Sequence, residues 1–233
     1  MTEKIISLPE LAEKRLVFRS RQHAGQVLAQ MLKQETWPDA IVLAIPAGGV
    51  PVGQAVAQKL EAAFDVAVVS KITLPWNTEA GYGAIAFDGS MRLNEMLLAR
   101  LNLTNQQMKE GIAETKEKVR RRSRTLRGQL PFPDLSNRSA IIVDDGLASG
   151  FTMFCAIDAV KSAGARQVVV AVPTAHRQAA EAAAEMVDRL YCANLRSGRS
   201  FAVAEAYELW TDVSEQELMD LMHDGPNTPV SAF

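Results

Sequence analysis

The stretch Ala140-Ile141-Ile142-Val143-Asp144-Asp145-Gly146-Leu147-Ala148-Ser149-Gly150-Phe151-Thr152-Met153 passes through three kinds of chain in quick succession. A β-branched apolar run gives way to two acids, then to a loop of small residues, then to a helical pattern starting near Gly150. The apolar run is continuous rather than alternating, as in strands buried on both faces of a parallel sheet. In open sheets of that kind, ligands sit beyond the carboxyl ends of the strands. Unpaired loop N–H groups and a helix N-terminus make a pocket for a phosphate there. Ser149 and Thr152 add hydroxyl donors, and Gly146 and Gly150 let the backbone approach a ligand closely. Two carboxylates alone would repel a phosphate. A sugar diol gives them a reason, because an ionised Asp accepts hydrogen bonds from both hydroxyls, and a divalent cation held by the same hydroxyls offsets the charge further. An isolated Asp-Asp pair would read as helix capping. Ser149, Gly150 and Thr152 at these spacings favour the ligand site.

Similar apolar runs occur at residues 41–45, 66–69 and 168–172. Helical patterns lie between them. Ala24, Val27, Leu28, Met31 and Leu32 make a stripe ahead of the first run, residues 50–60 follow it directly, and residues 151–163 and 179–186 follow later runs. This alternation predicts an α/β fold, a mostly parallel twisted sheet flanked by helices. Two segments break the pattern. Residues 83–87 and 91–93 flank Phe87-Asp88-Gly89-Ser90, a hairpin signal, and residues 74–82, with Pro75, Asn77 and Gly81, read as a mobile loop before it. Thr104 with Gln107 forms a capping-box pattern at the head of a long polar helix reaching about Arg127, and Ser214 with Glu217 opens another. The expected organisation is one domain over residues 1–233, with a core at about 15–195 and a small hood built from 196–233 and the N-terminus.

The chain is 48% hydrophobic, enough for one well-buried core, and its net charge of -2 gives no global attraction to nucleic acid or membrane. Residues 116–127 include Lys116, Lys118, Arg120, Arg121, Arg122, Arg124 and Arg127. These charges surround the helix without interleaved aromatics, so a solvated face or subunit contact is expected rather than an RNA site. Cys155 and Cys192 lie far apart in apolar segments and read as buried reduced thiols. His23 and His223 show no partner pattern. No run approaches the ~20 apolar residues of a membrane span, and no signal-peptide core follows Met1. A cytoplasmic protein is the expectation. No Gly-x-x-x-x-Gly-Lys-[Ser/Thr] motif occurs.

The 140–153 segment resembles the phosphoribosyl pyrophosphate (PRPP) signature of type I phosphoribosyltransferases: apolar strand, two acids, three variable residues, Thr-Gly, one residue, Thr. Ser149 stands where Thr is usual and keeps the hydroxyl. Residues 45–53, Ile-Pro-Ala-Gly-Gly-Val-Pro-Val-Gly, resemble the family's pyrophosphate loop. Alone they would pass as a strand-to-helix turn with Pro51 in the first helical turn. Lys71, read as the carboxyl end of the second strand, is a third match. The order of motifs over residues 10–220 is similar to a narrower group of uncharacterised predicted phosphoribosyltransferases. The resemblance implies Asp144 and Asp145 on the ribose hydroxyls, with Mg²⁺ reached through those hydroxyls or water. It implies Ala148, Ser149, Gly150, Phe151 and Thr152 around the 5′-phosphate, next to Gly146 and Leu147. It also implies Ala47, Gly48 and Gly49 on the pyrophosphate, Lys71 as its point charge, and a loop that closes over the site.

The implied reaction displaces pyrophosphate from PRPP by a nitrogenous acceptor such as a nucleobase. Two departures stand out. Relatives usually carry Arg where this chain has Ala47, and purine-salvage members carry an acid where it has Ala148. A non-catalytic protein of the same fold that senses PRPP or a nucleotide is the alternative. The acceptor site is expected from the termini and the loop near Thr174-Ala175-His176. His176 itself reads as a surface residue in a helix's first turn, and Tyr207 and Trp210 as core aromatics. Dimers are common in the family, so a homodimer is a natural expectation.

Overall fold

The computed structural model describes residues 4–198 and 200–224, with backbone alone at 78–79 and 223–224. The hood expected to run to residue 233 is thus described to 224, and the His223 side chain and the polar tail lie outside the described residues. In chain order the elements are β1 (Ile5–Ser7), α1 (Arg21–Leu32), β2 (Ile41–Ala44), α2 (Gly49–Leu60), β3 (Ala63–Val66), β4 (Val69–Leu74), β5 (Asn77–Ala86), β6 (Met91–Leu93), α3 (Glu95–Leu98), α4 (Asn105–Arg127), β7 (Ser139–Val143), α5 (Phe151–Ser162), β8 (Gln167–His176), α6 (Arg177–Glu185), β9 (Arg189–Arg196) and α7 (Glu215–Asp224).

Six strands form a parallel sheet in the order β1-β9-β8-β7-β2-β3. Both faces are covered, which is why its strands read as unbroken apolar runs. Val42, Ala44, Ile141, Val143, Val169 and Ala171 pack on one face with α1 and α2. Their neighbours Ile41, Leu43, Ala140, Ile142, Val168 and Val170 pack on the other with α5 and α6. Alternate side chains of one strand therefore serve two cores. α7 adds Leu218 and Met222 to the first core, and the Gln54 side chain of α2 donates to the Leu221 carbonyl.

The structure corrects the reading of residues 66–74. What looked like one strand at 66–69 is divided: β3 ends at Val66 in the parallel sheet, and β4 begins at Val69 in a separate antiparallel sheet, β4-β5-β6. The stretch 74–82, expected as a mobile loop, is mostly strand: Leu74 pairs with Asn77 across a tight turn, and β5 runs on to Ala86. The Asp88-Gly89 hairpin turn is present, with Gly89 at φ 86°. The capping box on α4 forms with both of its hydrogen bonds.

Residues 16–18 pair with residues 205–208. Leu16 N–H donates to the Glu205 carbonyl at 2.8 Å, Phe18 N–H to Ala206 at 2.9 Å, and Glu208 N–H back to Phe18 at 2.8 Å. Buried Asn194 of β9 anchors the N-terminal segment. It accepts from Thr174 Oγ1 at 2.7 Å and donates to the Lys14 carbonyl at 3.2 Å.

Candidate active site

β2 and β7 are neighbours in the sheet, with Leu43 beside Ile142 and Ala44 beside Val143. From β2 the chain moves outward to β3, and from β7 it moves the opposite way to β8 and β9. The strand order therefore reverses between them, where open α/β sheets leave a crevice beyond the strand ends. Both singled-out loops open into that crevice: 45–48 leads from β2 into α2, and 144–150 from β7 into α5.

The two loops touch through glycine. A Cβ on Gly48 would lie 1.9 Å from the Asp145 carboxylate oxygen, and one on Gly49 would lie 2.8 Å from the Val143 carbonyl. Only glycine allows the first loop to lie this close beneath the acids. The peptide between Pro46 and Ala47 is cis. Leu147 is stitched to β8: its N–H donates to the Thr174 carbonyl and its carbonyl accepts from His176 N–H, each at 2.9 Å. Ala148 and Ser149 are exposed beyond this anchor. Gly150 turns the chain at φ 85° into α5, whose N-terminus has no side-chain cap. Gly48, at the head of α2, supplies none either. Two helix starts without side-chain caps thus face one crevice that also contains two carboxylates. The first-turn amides of α5 are donors without an intrahelical acceptor, whereas in α2 Gly49 N–H donates to the Ile45 carbonyl at 3.0 Å and Val50 N–H to the Ala47 carbonyl at 3.1 Å.

Asp144 and Asp145 are partly accessible at the strand end. Burial pushes the Asp144 carboxyl well above the usual carboxylate range, and the neighbouring Asp145 pushes it further. Burial also raises Asp145, opposed by Arg21. Arg21 Nε donates to Asp145 Oδ2 at 2.9 Å and Nη1 to the Thr211 carbonyl at 2.7 Å. Its guanidinium lies 3.9 Å over the Trp210 ring, an arrangement open to Arg and not to Lys. Tyr207 OH donates to the Asp145 carbonyl at 2.6 Å. Burial, then the Asp145 charge, raises this phenol well above its ordinary value, so it remains a donor. Residues 207–211 are thereby tied to the acids. Val203 also lies over Gly146, where a Cβ would meet it at 2.4 Å.

Thus Ala47, Gly48, Gly49, Asp144, Asp145 and residues 146–152 converge on one crevice. Lys71 is placed differently from expectation. It lies within β4, exposed, with its aliphatic stem against Gly81 of β5. His176 is the last residue of β8 and N-cap of α6, with its ring edge-on to Phe201 at 5.8 Å. Tyr207 is buried core as expected, whereas half-buried Trp210 stacks on Arg21 at the site's edge. Arg21 itself was missed. One signal was available: a cation at the first position of α1, in a turn lacking acids, opposes the helix dipole. Such a residue is held there for a partner elsewhere. Among the described residues no group of three or more His, Cys, Asp or Glu side chains could hold a metal, and no helix is long and apolar enough to cross a membrane.

Comparison with known proteins agrees with this geometry. The phosphoribosyl transferase domain family matches residues 88–207, just over half of the chain. Proteins called "Putative phosphoribosyl transferase" in two strains of Mycobacterium tuberculosis are 36% identical over 206 residues, covering 87% of this chain and 46% of theirs. The chain thus spans about half the length of these curated relatives. The crystal structure of TT1426 from Thermus thermophilus superposes with a TM-score of 0.71 at 30% identity, covering 91% of this chain and 100% of that one. The mostly parallel, helix-flanked sheet is the fold shared with that structure, and this chain belongs to the phosphoribosyl transferase domain family.

Proposed function

We propose that the chain binds PRPP in the β2–β7 crevice and transfers its phosphoribosyl group to a nitrogenous acceptor, releasing pyrophosphate. The observation that carries this reading is the convergence of two acids and two helix starts without side-chain caps at the strand-order reversal. In it, Asp144 and Asp145 accept from the ribose hydroxyls. The amides and hydroxyls of residues 148–152 hold the 5′-phosphate, and the amides of Ala47 and Gly48 hold the pyrophosphate. Gly49 gives the close approach while its own N–H stays on the Ile45 carbonyl. Arg21, beside both Asp145 and Gly48, supplies a cation to the crevice in which Ala47 supplies none.

The donor set suits Mg²⁺. Two carboxylates fall short of a protein cage, and Mg²⁺ is usually held by one or two carboxylates with substrate oxygens and water. When bound, it would neutralise the pyrophosphate leaving group. The protein's own work is to position the ribose, orient donors toward the departing charge and exclude water beneath the hood. A reading without turnover, as a PRPP or nucleotide sensor, draws support from Ala47 and from the commitment of the Asp145 carboxylate to Arg21.

Calorimetric titration of PRPP with Mg²⁺ into the wild type and an Asp144→Asn/Asp145→Asn variant tests the site. Binding by the wild type alone is expected, and a wild type that binds nothing at about 1 mM refutes the reading. Pyrophosphate release across a panel of bases then separates enzyme from sensor.

A further inference from the structure

A second cavity, of about 560 Å³, lies away from the crevice, between the later turns of α4 and the β5–β6 turn. Its volume falls within the range of small-molecule sites, roughly 300–1,000 Å³. Lys116, Arg120 and Arg124 line it from one side. They recur every four residues and so project from one face of the helix, where like charges repel and give the helix nothing. Lys116 and Arg124 have no acidic partner among the described residues, and Arg120 has only an exposed Glu117 at 3.0 Å. The one acid in the wall, Asp88, accepts from Ser90 N–H and Oγ, and so is already occupied. Ile85 and Phe87 give an apolar surface across from the helix, and Val119 of α4 itself adds to it. Ser123 also lines the cavity, with its hydroxyl sealed away from solvent.

We infer that this cavity is a second binding site, for a phosphorylated small molecule of nucleotide size. Its phosphates meet Lys116, Arg120 and Arg124, and its less polar portion lies against Ile85, Phe87 and Val119. Neutralising the helix dipole explains cations only in the last turn of α4, where Arg127 is already paired with Asp65. Lys116 and Arg120 stand further back. The site stands independently of the PRPP reading, because it shares no residue with the crevice.

The test is calorimetric titration of ATP and of GTP into the full chain, into Arg120→Ala/Arg124→Ala, and into Asp144→Asn/Asp145→Asn. Both arginines are exposed, so the first variant should fold. A far-UV spectrum checks this, with Arg124→Gln as the milder substitute. Expected is saturable binding of at least one nucleotide, weakened at least about tenfold by the arginine variant, as loss of charge-assisted hydrogen bonds requires, and retained by the aspartate variant. Binding lost only in the aspartate variant would place the ligand in the crevice and overturn the inference. So would affinity unchanged by the arginine variant, or no binding at about 1 mM. A 12-nucleotide single-stranded RNA that binds more tightly than either nucleotide, with steep salt dependence, would replace it with a nucleic-acid face.

Discussion

At the scale of single residues, the site rests on a contact between Arg21 and Asp145, which are 124 positions apart in sequence. Their side chains are 10% and 16% exposed, so removing the cation leaves a carboxylate poorly solvated. Arg21→Ala is expected to cost roughly 2–3 kcal/mol near neutral pH, and less in acid, where Asp145 takes up a proton instead. Urea denaturation at both pH values, repeated in an Asp145→Asn background, would show the coupling. An equal cost in both backgrounds would mean the pair contributes nothing. This contact also marks where sequence reading stopped. Asp144, Asp145, Ser149, Gly150 and Thr152 are legible because they sit on one strand-loop-helix, so their spacing is their geometry. Arg21 is brought there by the packing of α1 on α2 beside β2, and no local spacing encodes that.

Among the elements, α4 is where reading and structure diverge most. Its basic residues look alike in sequence, yet they have different tasks. Arg127 is 9% exposed and pairs with Asp65, 5% exposed, by two nitrogens at 2.8 and 2.9 Å, while also donating to the Pro131 carbonyl at 2.6 Å. It fastens the helix end to β3. Arg120 is solvated beside Glu117. Arg127→Ala should therefore cost about 3 kcal/mol or more, by stranding Asp65, whereas Arg120→Ala should stay within about 0.5 kcal/mol. Thermal or urea melts of the two variants decide this, and similar costs would contradict the assignment. Asp65 also explains the misplaced second strand. It interrupts the apolar run of β3, so hydrophobic patterning begins the strand late and merges its end with β4. β9 escaped notice for a related reason. Asn194 and Arg196 make it look like surface, and their partners come from the N-terminal segment and from Glu205.

Across the whole molecule, the fold places two acids in an environment that resists their charge, so stability and ligand binding are linked through pH. The folded protein holds the Asp144 proton to a higher pH than the unfolded chain does, because burial and then Asp145 raise it. Between the ordinary carboxylate range and that raised value, the native state binds more protons than the unfolded state, and stability falls as pH rises. Below the window the penalty is absent, and above it the penalty is complete, at about 1.4 kcal/mol for each pH unit the window spans. Asp144→Asn removes the ionisation and should flatten this decline, becoming more stable than the wild type toward alkaline pH. The proposed ligand acts in the opposite direction. Mg²⁺ with PRPP requires the ionised acid, so its affinity should increase across the same window, and saturation at 100 times Kd adds about 2.7 kcal/mol. Melting temperatures measured from about pH 4 to pH 8, with and without Mg²⁺ and PRPP, for wild type and Asp144→Asn, carry both signs at once. The wild type should lose stability with rising pH when free and gain a growing ligand-induced increase in Tm. The variant should show a shallower decline, owed to Asp145 alone, and no growing ligand effect. A ligand effect on Tm that does not change with pH, or an Asn variant that follows the wild-type slope, would detach Asp144 from ligand binding and leave its raised pKa a consequence of burial alone.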